Sequence, residues 1–192
     1  GKSYFLLRED IINCNIYDNG LISPIKILVT MGGSDPEELT ILAISILEMV
    51  DLNIEVIILI GSAFKPHLEE KINSMLYGHK NFTCIKNVLK MSTIYSQIDY
   101  AVINGGNTRY ELSFLTIPYF CIAIHETQNK ISQGIINEYG GVNLGIFNNI
   151  NIEDTSDLIT SYIADEKKMA NISKKMKKAE YLKDGTLNIF TS

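Results

Sequence analysis

Ile25-Lys26-Ile27-Leu28-Val29-Thr30-Met31-Gly32-Gly33 is a short β-branched run that stops at two glycines. One lysine interrupts it, so neither face suits water, and a strand covered on both sides is expected. The next residues, Ser34-Asp35-Pro36-Glu37-Glu38, have the marks of a helix start: a polar cap, proline in the first turn, then carboxylates near the positive end. Leu39, Leu42, Ala43, Ile46, Leu47 and Val50 continue that helix at a 3.6-residue period.

The alternation repeats along the chain. Strands are expected at 54–60, 81–85, 99–103, 118–124 and 142–147. Helices are expected after Pro66, at 92–97, 108–115 and 128–139, then at about 153–164 and 166–180. Six strongly apolar strands interleaved with helices imply an α/β fold, a doubly wound, Rossmann-like parallel sheet with helices on both faces. Ligands of such sheets bind beyond the carboxyl ends of the strands, so the loops after strands carry the functional reading.

The 192 residues, 46% of them apolar, can bury one good core. With 17 basic against 22 acidic residues the net charge is −5, which argues against a broad electrostatic grip on nucleic acid or anionic lipid. Apolar blocks fall well short of the ~20 residues needed to cross a bilayer. Gly1-Lys2-Ser3-Tyr4 lacks the layout of a secretory signal. Three widely spaced cysteines, Cys14, Cys84 and Cys121, read as reduced thiols of a cytoplasmic protein. They share no metal-ligand spacing with His67, His79 and His125, and neither metal nor cofactor is expected.

Three loops hold the candidates. Gly32-Gly33-Ser34-Asp35-Pro36 brings bare backbone to a helix start that suits a phosphate, or else forms a tight turn capped by Ser34 or Asp35. Its spacing is neither GxGxxG nor GxxxxGK[ST], which weakens dinucleotide and P-loop readings. Gly105-Gly106-Asn107-Thr108-Arg109-Tyr110-Glu111 repeats the device, with Thr108 and Glu111 on one helix face. Glu111 could accept two hydrogen bonds from a ribose diol while loop N–H groups hold a diphosphate; the alternative is a Thr108–Glu111 capping box. His125-Glu126-Thr127-Gln128-Asn129 could recognise a sugar or base, although a loop histidine is ordinarily a surface residue. The only two arginines, Arg8 and Arg109, are candidates for bidentate anion recognition or for surface ion pairs. Lys174, Lys175, Lys177 and Lys178 read as a solvated helix face, with Ile172 and Met176 turned inward.

Taken together, Tyr4-Phe5-Leu6-Leu7-Arg8-Glu9, Ile27 through Pro36, Gly105 through Glu111, and Gln128-Asn129 resemble the carboxyl-terminal half of the PseG/SpsG family. That family comprises UDP-sugar hydrolases of pseudaminic acid biosynthesis and spore coat polysaccharide biosynthesis proteins, and is similar in fold to the GT-B glycosyltransferase MurG. The resemblance covers nearly all of residues 1 to about 148. It implies two Rossmann-like halves, with UDP or a UDP-sugar in the cleft between them, and makes this chain the nucleotide-binding half. By the resemblance, Glu111 takes the ribose hydroxyls, and Gly106, Asn107 and Thr108 cradle the diphosphate, with Gly105 also in the nucleotide-binding set. Gly33 and Ser34 face the phosphates or sugar. Backbone from Ile85 to Met91 reads the uracil edge, and Gln128 with Asn129 contacts the ligand, Thr127 standing where the family has Asn. Residues 1–24 would be the interdomain crossover and 25–192 the nucleotide-sugar domain. The family's water-activating histidine lies in an amino-terminal half that this sequence does not contain. No catalytic residue is therefore expected here, and that half becomes the expected partner.

Overall fold

The computed structural model describes residues 6–16 and 23–184. Tyr4 and Phe5 of the resemblance, and part of the expected crossover, lie outside the described residues. In chain order the elements are α1 (Glu9–Ile12), β1 (Ile25–Thr30), α2 (Leu39–Glu48), β2 (Ile54–Leu59), α3 (Pro66–Met75), β3 (Phe82–Ile85), α4 (Ser92–Tyr95), β4 (Tyr100–Asn104), α5 (Thr108–Phe114), β5 (Tyr119–Ala123), α6 (Glu126–Tyr139), β6 (Val142–Ile146), α7 (Ile152–Ile163) and α8 (Glu166–Met176). A 3-10 stretch, Lys177–Asp184, follows α8, so the helix expected to reach residue 180 changes form after Met176.

All strand pairings are parallel, in the order β3-β2-β1-β4-β5-β6. The chain winds outward from β1 to β3, then returns to the centre at β4 and winds the other way. In sheets of this kind a crevice lies beyond the strand ends at such a reversal, here at the carboxyl ends of β1 and β4. Register places Thr30 beside Ile103, so the Gly32–Gly33 and Gly105–Gly106 loops leave the sheet next to one another.

Burial follows the apolar runs. The central strands are sealed on both faces: Ile27, Leu28 and Val29 in β1, Ala101, Val102 and Ile103 in β4, and all of β5 are buried. Edge strand β6 is only partly covered. The lysine-rich helix behaves as the sequence predicts, with Ile172 and Met176 inside.

At the opposite end of the sheet, Asp99 joins the two central strands. Its Oδ2 accepts from the Lys26 N–H at 2.8 Å, while its own N–H donates to the Lys26 carbonyl at 2.9 Å. Burial raises the Asp99 carboxyl above its ordinary 3.8, more than the Lys26 N–H and ammonium lower it. The folded chain therefore holds this proton to higher pH than the unfolded chain, and the ionised group costs stability above its folded pKa. Asp99→Asn keeps the acceptor and removes the charge. It should melt higher than wild type at pH 7, with the gap closing as pH falls toward 3.8. A gap independent of pH in thermal melts would show that the carboxylate is not the cause.

Candidate functional site at the strand-order reversal

Asn104, the last residue of β4, builds the floor of the crevice. Its Nδ2 donates to the Met31 carbonyl at 2.8 Å and its Oδ1 accepts from the Gly106 N–H at 3.1 Å. One amide thus stitches the β1 loop to the β4 loop. Sequence reasoning passed over it, though an amide closing an otherwise apolar strand was the available signal. Gly105 is closely packed: a Cβ there would stand 2.5 Å from Gln128 Cγ and 2.8 Å from Ser132 Oγ, so any larger residue must displace those side chains. Asn107, which precedes α5, makes no capping bond, and among the described residues no backbone hydrogen bond engages the N–H groups of Asn107 and Thr108.

Glu111 follows one turn later and does not form the capping box. Its Oε2 accepts from the Tyr95 hydroxyl at 2.7 Å; its Oε1 accepts from Arg8 Nε at 3.2 Å and lies 3.1 Å from Arg8 Nη2. The carboxylate is mostly buried, at 14% side-chain exposure, so these charge-assisted bonds fix its direction. Burial first, and the Glu111 carboxylate second, push the Tyr95 hydroxyl far above its usual range, so it stays protonated and donates. Arg8 therefore forms an ion pair, and the segment bearing it is docked: Leu7 and Ile11 are buried, and Asp10 Oδ2 accepts from the Ser92 N–H at 3.2 Å.

The first loop departs from expectation. Helix α2 starts at Leu39 rather than near Pro36, because Asp35 (φ 41°) and Glu38 (φ 53°) are left-handed and turn the chain before the helix begins. Asp35 is buried, and its two oxygens accept from the Leu39 and Thr40 N–H groups at 2.9 and 2.8 Å. The positive end of α2 is thus occupied by the chain's own carboxylate, which is the Asp35 cap that the sequence left open beside a phosphate site. Gly33 remains exposed, its carbonyl accepting from the Ala63 N–H at 2.9 Å. Ser34 lines a shallow depression with Glu38, Lys65 and His67. Asp35→Asn leaves one of the two N–H groups without its acceptor and should cost about 1.5 kcal/mol. Differential scanning calorimetry should show a fall of roughly 3–6 °C.

In the third cluster, Gln128 comes to the crevice. Its side chain packs on Gly105, and its Oε1 accepts from the Ile124 N–H at 2.6 Å. Asn129 instead accepts from Asn143 Nδ2 at 2.8 Å, toward β6. His125 caps α6, its Nδ1 accepting from the Gln128 N–H at 3.2 Å. His67 and His79 lie against Glu38 and Glu48. The Ile85 carbonyl, at the start of the expected base-reading edge, accepts from the Ile60 N–H at 2.9 Å. Met91, half-buried, leads into α4, and the intervening loop presents Leu89 almost fully to solvent. Arg109 is neither a surface ion pair nor open to the crevice; it is buried and bonded to Ser132. Among the described residues no group of three or more His, Cys, Asp or Glu could hold a metal, and no helix is long and apolar enough to cross a membrane.

No family model matches the chain. It is 23% identical over 122 residues to the spore coat polysaccharide biosynthesis protein SpsG of Bacillus subtilis, a match covering 63% of this chain and 36% of that one. The chain thus spans about a third of the length of the curated relatives it matches. MurG of Acinetobacter baumannii superposes with a TM-score of 0.71 at 15% identity, over 94% of this chain and 53% of that one. The glycosyltransferase VinC in complex with dTDP gives 0.61 at 15% identity, over 93% and 44%. The chain is therefore a Rossmann-like α/β domain similar to the carboxyl-terminal half of SpsG- and MurG-related GT-B proteins.

Proposed function

We propose that this chain is the UDP-sugar-binding half of a nucleotide-sugar hydrolase of surface polysaccharide biosynthesis, in which water attacks the anomeric carbon and UDP leaves. The observation that carries this reading is the crevice at the strand-order reversal. There Asn104 fixes the Gly105–Gly106 loop, the N–H groups of Asn107 and Thr108 make no backbone bond, and Glu111 stands one turn away. A diphosphate accepts from such N–H groups, and a ribose diol donates to such a carboxylate. Glu111 Oε2 accepts from the Tyr95 hydroxyl and has a further lone pair for a ribose hydroxyl, while Oε1 faces Arg8 Nε and Nη2. Gly33, Gln128 and the loop between Ile85 and Met91 frame the rest of the ligand. The other cleft wall and the water-activating base belong to a companion amino-terminal half, so the chain alone binds UDP and turns over little or no UDP-sugar. Such a protein works in the cytoplasm, with its thiols reduced.

Transfer to a sugar or lipid hydroxyl in place of water is the second reading, favoured by the fold's likeness to glycosyltransferases. A non-catalytic nucleotide-sugar-binding module is a third. Calorimetry with UDP, UMP and NAD tests the site: UDP should bind best, and a preference for NAD overturns the assignment. Mass spectrometry of UDP-sugars incubated with the two-domain parent separates the first two readings. Free sugar plus UDP means hydrolysis, and a lengthened acceptor means transfer.

A further inference from the structure

Arg109 lies in the first turn of α5, only 5% exposed. Its Nη1 donates to Ser132 Oγ at 2.6 Å, and its Cζ stands 5.9 Å from the centre of the Tyr110 ring. Its Nε is buried without a hydrogen-bond partner, and among the described residues no carboxylate pairs with it. An uncompensated buried cation is costly, and removing water raises its effect on whatever charge comes near. Its surroundings say where that effect is felt. Ser132 Oγ, which Arg109 holds, is the atom that a Cβ on Gly105 would meet at 2.8 Å. Cys121 Sγ donates to the same hydroxyl at 3.6 Å, fixing it from the β5 side. Arg109 and Ser132 therefore stand directly behind the glycine turn of the crevice.

We infer that Arg109 is a positioning residue of the crevice: a fixed positive charge, anchored by Ser132 behind Gly105–Gly106, that selects an anionic group in front of the turn. The inference rests on the nucleotide reading above and adds to it the source of the preference for a charged over a neutral ligand. Preorganised charge in a water-poor site acts without reorganisation when the anion arrives. Arg109 touches no ligand itself and works through the loop and its field.

The test is calorimetry with UDP and with uridine on the wild-type chain, Arg109→Gln and Arg109→Lys. Glutamine keeps an N–H donor for Ser132 and removes the charge; lysine keeps the charge. Arg109→Gln should bind UDP about tenfold more weakly while uridine affinity stays within about twofold, and Arg109→Lys should retain most of the UDP affinity. Equal UDP affinity in wild type and Arg109→Gln overturns the inference and leaves the nucleotide reading standing. So does an equal loss of UDP and uridine, which marks a residue that only supports the fold. A wild-type chain that binds neither probe sinks the nucleotide reading and the inference with it.

Discussion

Gly61→Ala lowers the melting temperature by roughly 6–12 °C, the equivalent of about 3 kcal/mol in a domain of this size. Gly33→Ala leaves it within about 2 °C of wild type. The two glycines face one another across the loops that follow β2 and β1. A Cβ on Gly61 would stand 2.3 Å from the Gly33 carbonyl oxygen and 2.5 Å from that of Gly32; a Cβ on Gly33 meets nothing within 4 Å. The atoms in the way at Gly61 are backbone, so no rotamer change relieves the clash. The Ala63 N–H bond to the Gly33 carbonyl holds the loops at that separation. The first substitution must push the β1 loop away or spread the sheet ends; the second only adds a methyl group to open space. Calorimetric melts of the two variants check the contrast, and similar melting temperatures would mean that the loops do not pack as described. Gly33→Ala has a second use. If the first loop faces the phosphates, the added methyl should weaken UDP binding several-fold in a chain as stable as wild type.

That pair also shows what the sequence could and could not convey. Both glycines mark the ends of apolar runs, and the runs were legible because β-branched residues at 25–31 and 54–60 admit few alternatives to a buried strand. The strand count and the alternation with helices followed, and with them the class of fold. Which glycine is needed for packing and which for access depends on a contact between loops 28 residues apart, with no local signature. The segment from Ser34 to Glu38 shows a different failure. Its residue types suit a helix start, yet left-handed backbone at Asp35 and Glu38 delays the helix to Leu39. Glutamate rarely adopts that conformation, and aspartate, though it enters it more readily than most residues, suits a helix cap equally well. Asp35 then takes the helix end that the residue types left open to a ligand or to a cap.

The second loop was legible in its residues and illegible in its partners. Gly105, Gly106 and Glu111 belong to one loop and the first turn of the helix that it opens. The Tyr95 hydroxyl and Arg8, 16 and 103 residues away in sequence, decide where the Glu111 carboxylate points. Asn104, which ties both glycine loops together, has no motif of its own. Arg109 is the sharpest case, because a charged residue in an exposed-looking helix start is buried and bonded to Ser132 of α6.

Glu111→Ala should weaken UDP binding by about 1.5–3 kcal/mol, roughly 10- to 150-fold, if the carboxylate holds the ribose through charged hydrogen bonds. The substitution has a structural side that must be separated from the functional one. It leaves the Tyr95 hydroxyl, on a residue only 1% exposed, without its acceptor, so some stability is lost as well. Glu111→Gln divides the two effects. Glutamine offers one carbonyl oxygen, which Tyr95 can keep, and presents an N–H group where Oε1 now faces Arg8 and the crevice. The Gln variant should therefore melt closer to wild type than the Ala variant while still losing most of the UDP affinity. Tyr95→Phe completes the series: Glu111 keeps its charge but loses the bond that aims it, and affinity should fall by less than in either Glu111 variant. Titration calorimetry with UDP, beside a thermal melt of each chain, reads both quantities. Unchanged UDP affinity in a folded Glu111→Gln chain would confine Glu111 to holding Arg8 and Tyr95, and the ribose contact would have to be sought elsewhere in the crevice.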